Sequence, residues 1–353
     1  MLDLCLNQCY NYEVKLNNTK YWEEFYMTEL KELKGNQLSV TGTLSEKSLE
    51  LSTDHDGNEI IKGYIRVQVE QNNRVNVVTF NVYNRKFTRS GSENKLFAGF
   101  VTVMKDYVSL QDVNGDEERA DRVNVLGDLS YNIYSSDGET VQESNRFRAT
   151  TCHRVNGQDL EDDTYGSIPA VIESYDEDID KDGNPTGLWK VKALTVGYNG
   201  RVGRVMDLKI ASELASEMQG ALPEGTTGVL YYNILNYVVV KKQNVDNAGG
   251  GSFGQIHAVV KSNSYVRHLL IVGGAPLEND ELALTEDQIQ KAHEELRKQR
   301  TEAISRANNK PTAPVKNAQQ ARQGGFGSAV KNESNPFANS GAGVEISDDD
   351  LPF

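Results

Sequence analysis

Cysteine is scarce: Cys5, Cys9 and Cys152 are the three in 353 residues, an odd count with no Cys-x-x-Cys pair. That argues against a disulfide framework and against a thiolate zinc site. The five histidines (His55, His153, His257, His268 and His293) are dispersed and offer no metal spacing. No apolar run approaches the roughly 18 residues of a membrane span. Residues 1–15 lack a basic segment followed by an apolar one, so no secretory signal is expected and the cytosol is the expected compartment. No Ser/His/Asp or Cys/His arrangement stands out, which points to a binder rather than an enzyme, with no cofactor.

Positive charge is short as well, with 37 Lys and Arg against 51 Asp and Glu and a net charge of −14. Residues 309–353 hold four bases and five acids, so all but one of the excess negative charges lie in residues 1–308. Binders of polyanions commonly display a basic surface. If this chain is one, its cations must gather in a groove while the acids cover the outside.

What is present is a change of periodicity along the chain. Residues 19–34, with Trp22, Phe25, Tyr26, Leu30 and Leu33 at near-helical spacing, predict a lead-in helix closed by Gly35. Residues 38–44 predict a first strand and Asp56-Gly57-Asn58 a turn. Over 64–69, Ile65, Val67 and Val69 alternate with Tyr64, Arg66 and Gln68, a second strand. Gln71-Asn72-Asn73 turns into a third strand over 75–83. Residues 94–108 place Leu96, Phe100, Val103, Met104 and Tyr107 on one helical side. Strands over 123–134 and 139–154 follow, joined at Ser135-Ser136-Asp137-Gly138. Three strands, a helix and two strands is the order of an oligonucleotide-binding barrel, the OB-fold.

The order then recurs. Strands are predicted over 168–175, 188–196 and 202–210, a helix over 211–219, and strands over 228–242 and 255–272 around a glycine-rich loop at 248–254. The turn Asp182-Gly183-Asn184 lies 126 positions after the first Asp-Gly-Asn, and Arg201-Val202 lies 127 after Arg74-Val75. Matching offsets within a matching order predict a tandem repeat. The expected protein is mainly β with some helix. It has a lead-in segment (1–34), two tandem OB-fold-like barrels (35–160 and 165–278), a C-terminal helix (285–307), a disordered linker (308–344) and an acidic tip (345–353). Thr285 and Gln288 form a capping box for that helix, whose thin apolar stripe predicts weak packing. The linker, rich in Asn, Gln, Gly, Ala and Ser, cannot bury enough surface to offset chain entropy.

The tip reads Glu345-Ile346-Ser347-Asp348-Asp349-Asp350-Leu351-Pro352-Phe353. Three adjacent aspartates cannot share a packed core. The Leu-Pro-Phe after them is an apolar plug with a free carboxylate, suited to a pocket rimmed by Arg or Lys. Pro352 keeps Leu351 extended and lowers the ordering cost of docking. With Asn335-Pro336-Phe337-Ala338-Asn339 upstream, this stretch resembles the C-terminal tail of bacterial single-stranded-DNA-binding proteins, particularly the Gram-positive form. The resemblance covers about the last 20 residues, the length of a linear recognition motif. It implies coating of single-stranded DNA without sequence preference in replication, recombination and repair. It also implies recruitment of partner enzymes through Asp348, Asp349, Asp350, Leu351, Pro352 and Phe353. Those proteins carry one barrel of about 110 residues per subunit, a single-domain size. A tandem body with such a tip suggests a bacteriophage protein that uses its host's recruitment signal in the host cytoplasm.

Single-stranded DNA needs aromatic faces for its bases and cations for its phosphates. The first barrel offers Tyr64, Arg66, Arg74, Phe80, Tyr83, Arg85, Lys86, Phe87 and Arg89; residues 83–89 hold three cations and two aromatics with no acid. The second offers Lys190, Lys192, Tyr198, Arg201, Arg204, Lys241 and Lys242, with Trp189, Tyr231, Tyr232 and Tyr237 as further rings. About half of these rings are expected in the core. Asp178-x-Asp180-x-Asp182-Gly183 resembles the start of a calcium loop, but Trp189 stands where a bidentate Glu is needed, so a closed turn is expected. Gly249-Gly250-Gly251 lacks the Lys and Ser/Thr of a phosphate loop and predicts a mobile hairpin. Two rivals stay open: an adaptor that docks through the tip without binding DNA, and a metal-dependent nuclease using residues 178–182. Deleting Phe353 is expected to abolish capture of partner enzymes in pull-downs and to leave oligo-dT affinity intact or raised. Loss of DNA binding on that deletion contradicts the division of labour.

Overall fold

The computed structural model describes residues 30–246, 257–277 and 282–309, with side chains left out over 240–263. The linker, the acidic tip, the glycine-rich loop, the side chains of Lys241 and Lys242, and most of the predicted lead-in helix lie outside the described residues.

The first barrel is built from β1 (Gln37–Thr53), β2 (Glu59–Gln71), β3 (Arg74–Arg85), β4 (Arg122–Tyr134) and β5 (Gln142–Arg154). Antiparallel pairs β1–β2, β2–β3, β4–β5 and β1–β4 are closed by a parallel contact between β3 and β5, where Phe80 faces Phe147. That ring is the OB-fold connectivity. Helix α1 (Lys95–Asp106) sits between β3 and β4, capped by the Asn94 side chain on the Leu96 N–H at 3.0 Å, and buries Phe100 and Val103. Asn72 and Asn73 both take positive φ, 51° and 56°, as a two-residue hairpin turn of the primed type requires.

The second barrel repeats the plan with β6 (Asp163–Ile179), β7 (Pro185–Val196), β8 (Val202–Val205), β9 (Leu208–Ala211), β10 (Thr227–Asp246) and β11 (His257–Pro276). Its ring runs β6–β7–β9–β11–β10–β6, again closed by one parallel contact, Leu208 to Ile210 against Leu269 to Ile271. Helix α2 (Ser212–Ala221) occupies the place of α1. The strand predicted over 202–210 is broken at Met206 and Asp207, because Asp207 adopts φ 57° and its carbonyl accepts the Leu269 N–H at 2.8 Å. The two Asp-Gly-Asn turns are built alike. The Asp54 side chain accepts from the N–H groups of Asp56 and Asn58, and Asp180 does so from Asp182 and Asn184.

The barrels are joined by backbone. The free edge of β1 pairs antiparallel with β6, from Gln37 opposite Ser167 to Thr41 opposite Asp163. Two asparagines fix the junction further. Asn145 exchanges both amide atoms with the Met206 backbone, at 2.7 and 3.3 Å. Asn236 donates to the Val77 carbonyl at 2.6 Å, and its N–H to the Asn76 side chain at 2.9 Å. Gly203 is required by close approach, since a Cβ there would lie 2.3 Å from the Tyr131 ring. One apolar cluster runs through both interiors, from Ile65, Val67 and Phe80 to Ile168, Leu230 and Tyr232. Each such side chain contributes about 1.5–3 kcal/mol.

Two sequence expectations are corrected. Leu30 to Lys34, the described end of the predicted lead-in helix, is not helical; Leu33 donates its N–H to the Val196 carbonyl at 2.8 Å and buries its side chain. Helix α3 (Glu286–Asn308) opens on the Thr285/Gln288 capping box and is largely solvated as expected, but its thin stripe is packed rather than loosely held. Ala292 and Leu296 enter a second apolar cluster with Leu33, Val171, Leu194, Val196 and Val202. Arg300 reaches Glu143 at 2.6 Å. The narrow stripe suffices because alanine lets the helix approach closely. Leu296→Ala is expected to lower the unfolding free energy by about 2–4 kcal/mol in urea titrations. A loss below about 0.5 kcal/mol, the surface norm, contradicts the packed position.

Candidate nucleic-acid interface

Strand alternation sorts the predicted residues by face. On β2 and β3 the inward positions are Ile65, Val67, Val78, Phe80 and Val82, all buried. Lys62, Tyr64 and Arg66 therefore point outward beside Tyr83, Asn81 and Thr79, their cross-strand partners. Strands 2 and 3 of an OB-fold are the face that takes oligonucleotides. Tyr83 is 53% exposed and Phe87 49% exposed. The Arg66 guanidinium lies over the Tyr64 ring at 4.8 Å and pairs with Glu46. The Tyr64 hydroxyl donates to the same glutamate at 2.6 Å. The acid-free stretch 83–89 gains acids from elsewhere in the chain. Arg85 pairs with Asp54 at 2.8 Å and Asp56 at 3.0 Å, and Lys86 pairs with Glu59. Arg89 is exposed.

The corresponding face of the second barrel is more basic. Lys190 and Lys192 project from β7, Arg204 from β8 and Lys209 from β9, with Lys190 directly opposite Lys209. Together with Arg300 of α3 they line a cavity of about 640 Å³, which Glu143 and Asp207 also border. Asp178, buried behind it, accepts from Lys190 at 2.9 Å, Lys209 at 2.7 Å and Thr186 at 2.8 Å. Burial pushes the Asp178 carboxyl up, but the hydrogen bonds from Lys209, Lys190 and Thr186 outweigh it and hold it at about 2. Arg204 is gripped by Glu173 and Lys192 by Asp176. Asp178 is thus a counter-charge for two lysines and Asp180 a turn closer.

A second cavity of about 530 Å³ lies between the barrels. It is bordered by Thr79 and Asn81 of β3, by Arg146 and Phe147 of β5, and by Arg267 of β11. Glu143, Met206 and Asp207 border both cavities. The two spaces therefore adjoin, and one groove runs from the β7–β9 face past Met206 to the outer face of β3. Lys209, Arg300, Arg146 and Arg267 are groove cations that the sequence reading did not name. Arg146-Phe147-Arg148, two exposed arginines flanking an aromatic ring, was the available signal. Arg300 carried none, standing on a helix read as solvated.

Other predicted residues lie apart from this groove. Tyr198 is 67% exposed and borders a separate space with Leu30 and α3. Arg201 donates to the Tyr131 carbonyl at 3.1 Å. Arg74 stacks on Tyr237 at 5.0 Å, beyond the hairpin turn. Phe80 and Tyr232 are core, Trp189 is half-buried against it, and Tyr231 stacks with Tyr165. Among the described residues Asp54, His55 and Asp56 bring three ligand-type atoms within 4.8 Å of one another, and Arg85 occupies both carboxylates. No described helix is long and apolar enough to cross a membrane.

The YorF family model matches residues 34–310, both barrels and α3 together. The chain belongs to the YorF family. No curated protein matches it. Among solved structures, a deletion mutant of the single-stranded DNA binding protein from Thermus aquaticus is similar at 13% identity and a TM-score of 0.39. That match covers 69% of this chain and 95% of the other. The wild-type Thermus aquaticus protein is similar at 16% identity and a TM-score of 0.35, over 57% and 85% of the two chains. At these scores the superposition is loose, and the two-barrel architecture of this YorF-family chain stands on its own strand pairings.

Asp178 supplies the test of this electrostatic reading. Because its folded value is depressed, its contribution is fully present above the ordinary 3.8 and is lost as pH falls through about 2. Asp178→Asn is expected to cost about 1–3 kcal/mol at pH 7 in urea titrations. The gap to wild type narrows as the medium is acidified through that window. A gap that persists unchanged contradicts the assignment.

Proposed function

We propose that this protein binds single-stranded DNA without sequence specificity, with the strand lying in the groove that crosses both barrels. It protects exposed strands in replication and recombination, and the C-terminal tip recruits partner enzymes. The observation that carries this reading is the groove itself. Seven cations (Lys190, Lys192, Arg204, Lys209, Arg300, Arg146 and Arg267) border two adjoining cavities on the oligonucleotide face of an OB-fold pair. Five of the seven are held by acids of the same face, and Glu143 and Asp207 border the groove, so the cations outnumber the acids there although the whole chain carries −14. The protein needs no catalytic group for this role and acts as a coat and a tether; the tip raises the local concentration of partners on the strand.

A second reading, the adaptor that docks through the tip without holding DNA, is favoured by one observation. Of the nine described cations the sequence singled out, Arg66, Arg85, Lys86, Lys190, Lys192 and Arg204 already pair with carboxylates. The cationic side chains of these pairs nonetheless stay 32–59% exposed, so each can offer its outer N–H groups to a phosphate, and the first reading is preferred. Salt dependence separates the two. Each phosphate neutralised on a single strand contributes about −0.7 to the slope of log K against log salt. All seven groove cations give a slope of about −5; Arg146 and Arg267 alone give about −1.4. A slope near −5 for oligo-dT is expected from fluorescence anisotropy. Absence of binding at low salt leaves the adaptor.

A further inference from the structure

The cavity between the barrels differs from the rest of the groove in its unspent polar groups. Arg146 and Arg267 border it from β5 and β11. Both are exposed, and among the described residues neither makes an ion pair or side-chain hydrogen bond. The other groove cations are held by Asp178, Asp176, Glu173 or Glu143. Two free guanidiniums facing one space form a clamp for a phosphate. Phe147 borders the same cavity, half-buried and braced against Phe80 at 6.1 Å, so its ring is already ordered before anything stacks on it. Asp207 borders the same cavity at the β8–β9 turn, held at φ 57° by the Leu269 N–H, and its carboxylate meets no cation among the described residues. A free carboxylate would repel a phosphate, yet it accepts well from an exocyclic base amine. At about 530 Å³ the cavity is within the range of small-ligand sites.

We propose that this cavity takes one unstacked nucleotide of a bound strand, its phosphate between Arg146 and Arg267 and its base against Phe147. The Asp207 carboxylate accepts from the exocyclic amine of that base. This rests on the strand-binding reading above and adds to it a base preference: cytosine, which carries an amine, over thymine, which offers only acceptors at that position. The coat stays tolerant of sequence along the groove and becomes selective at one position.

The test compares oligo-dC and oligo-dT of equal length with the full chain by anisotropy. Wild type is expected to bind oligo-dC about fivefold tighter, the low end of the discrimination a base contact provides. Asp207→Asn brings the ratio to about one; asparagine tolerates the left-handed backbone, so the turn is kept. The double variant Arg146→Ala/Arg267→Ala weakens both strands together. A ratio indifferent to Asp207, or arginine variants that bind as wild type does, overturns the nucleotide site and leaves strand binding intact. A wild type that binds neither strand overturns both readings. Displacement of the strand by micromolar deoxycytidine monophosphate would make the occupant a free nucleotide and overturn the strand assignment.

Discussion

The antiparallel pairing of β1 with β6 is the constraint on which the molecule depends. A closed barrel has no edges to offer, yet β1 is long enough to serve three partners. Its first half lies between β4 and β6, and its second half turns to β2. Ladder hydrogen bonds are directional, so this junction fixes the register of one barrel against the other in a way that side-chain packing alone does not. Asn145 on Met206 and Asn236 on β3 then hold the junction from the groove side. The groove is consequently built in advance, and nothing that occupies it has to order two loosely tethered domains.

Charge is managed by placement. With 14 more acids than bases, the chain cannot attract a polyanion through its net field. It keeps seven cations along one groove, and it places several acids directly behind them. Asp178, buried under Lys190 and Lys209, makes it possible for two like charges to stand opposite each other on neighbouring strands. The lysine ends of these pairs stay partly exposed, so they can also reach a phosphodiester, which offers two anionic oxygens.

Much of the fold was legible because turns and alternation are local. Two Asp-Gly-Asn turns at one offset announced the repeat, and Ile65, Val67 and Val69 against Tyr64 and Arg66 announced which face of β2 is outward. Strand lengths were less legible. The prediction stopped β1 at Leu44, but the polar stretch to Thr53 continues as strand because β2 pairs with it. The groove was legible only in part. Lys190, Lys192 and Arg204 were named from sequence, whereas Lys209, Arg146, Arg267 and Arg300 come together only through parallel strand closure and the seating of α3. Counter-charges were hidden for the same reason: nothing local places Asp54 beside Arg85 or Glu173 beside Arg204.

Hydrogen exchange of the full chain, with and without saturating oligo-dT, addresses the continuity of the groove most directly. Slowed exchange is expected together in β3, β5, the Met206–Asp207 turn and β7 to β9, with α1 and α2 unchanged. Protection confined to one barrel, or displaced to the helix-capped ends, would contradict a single path across both.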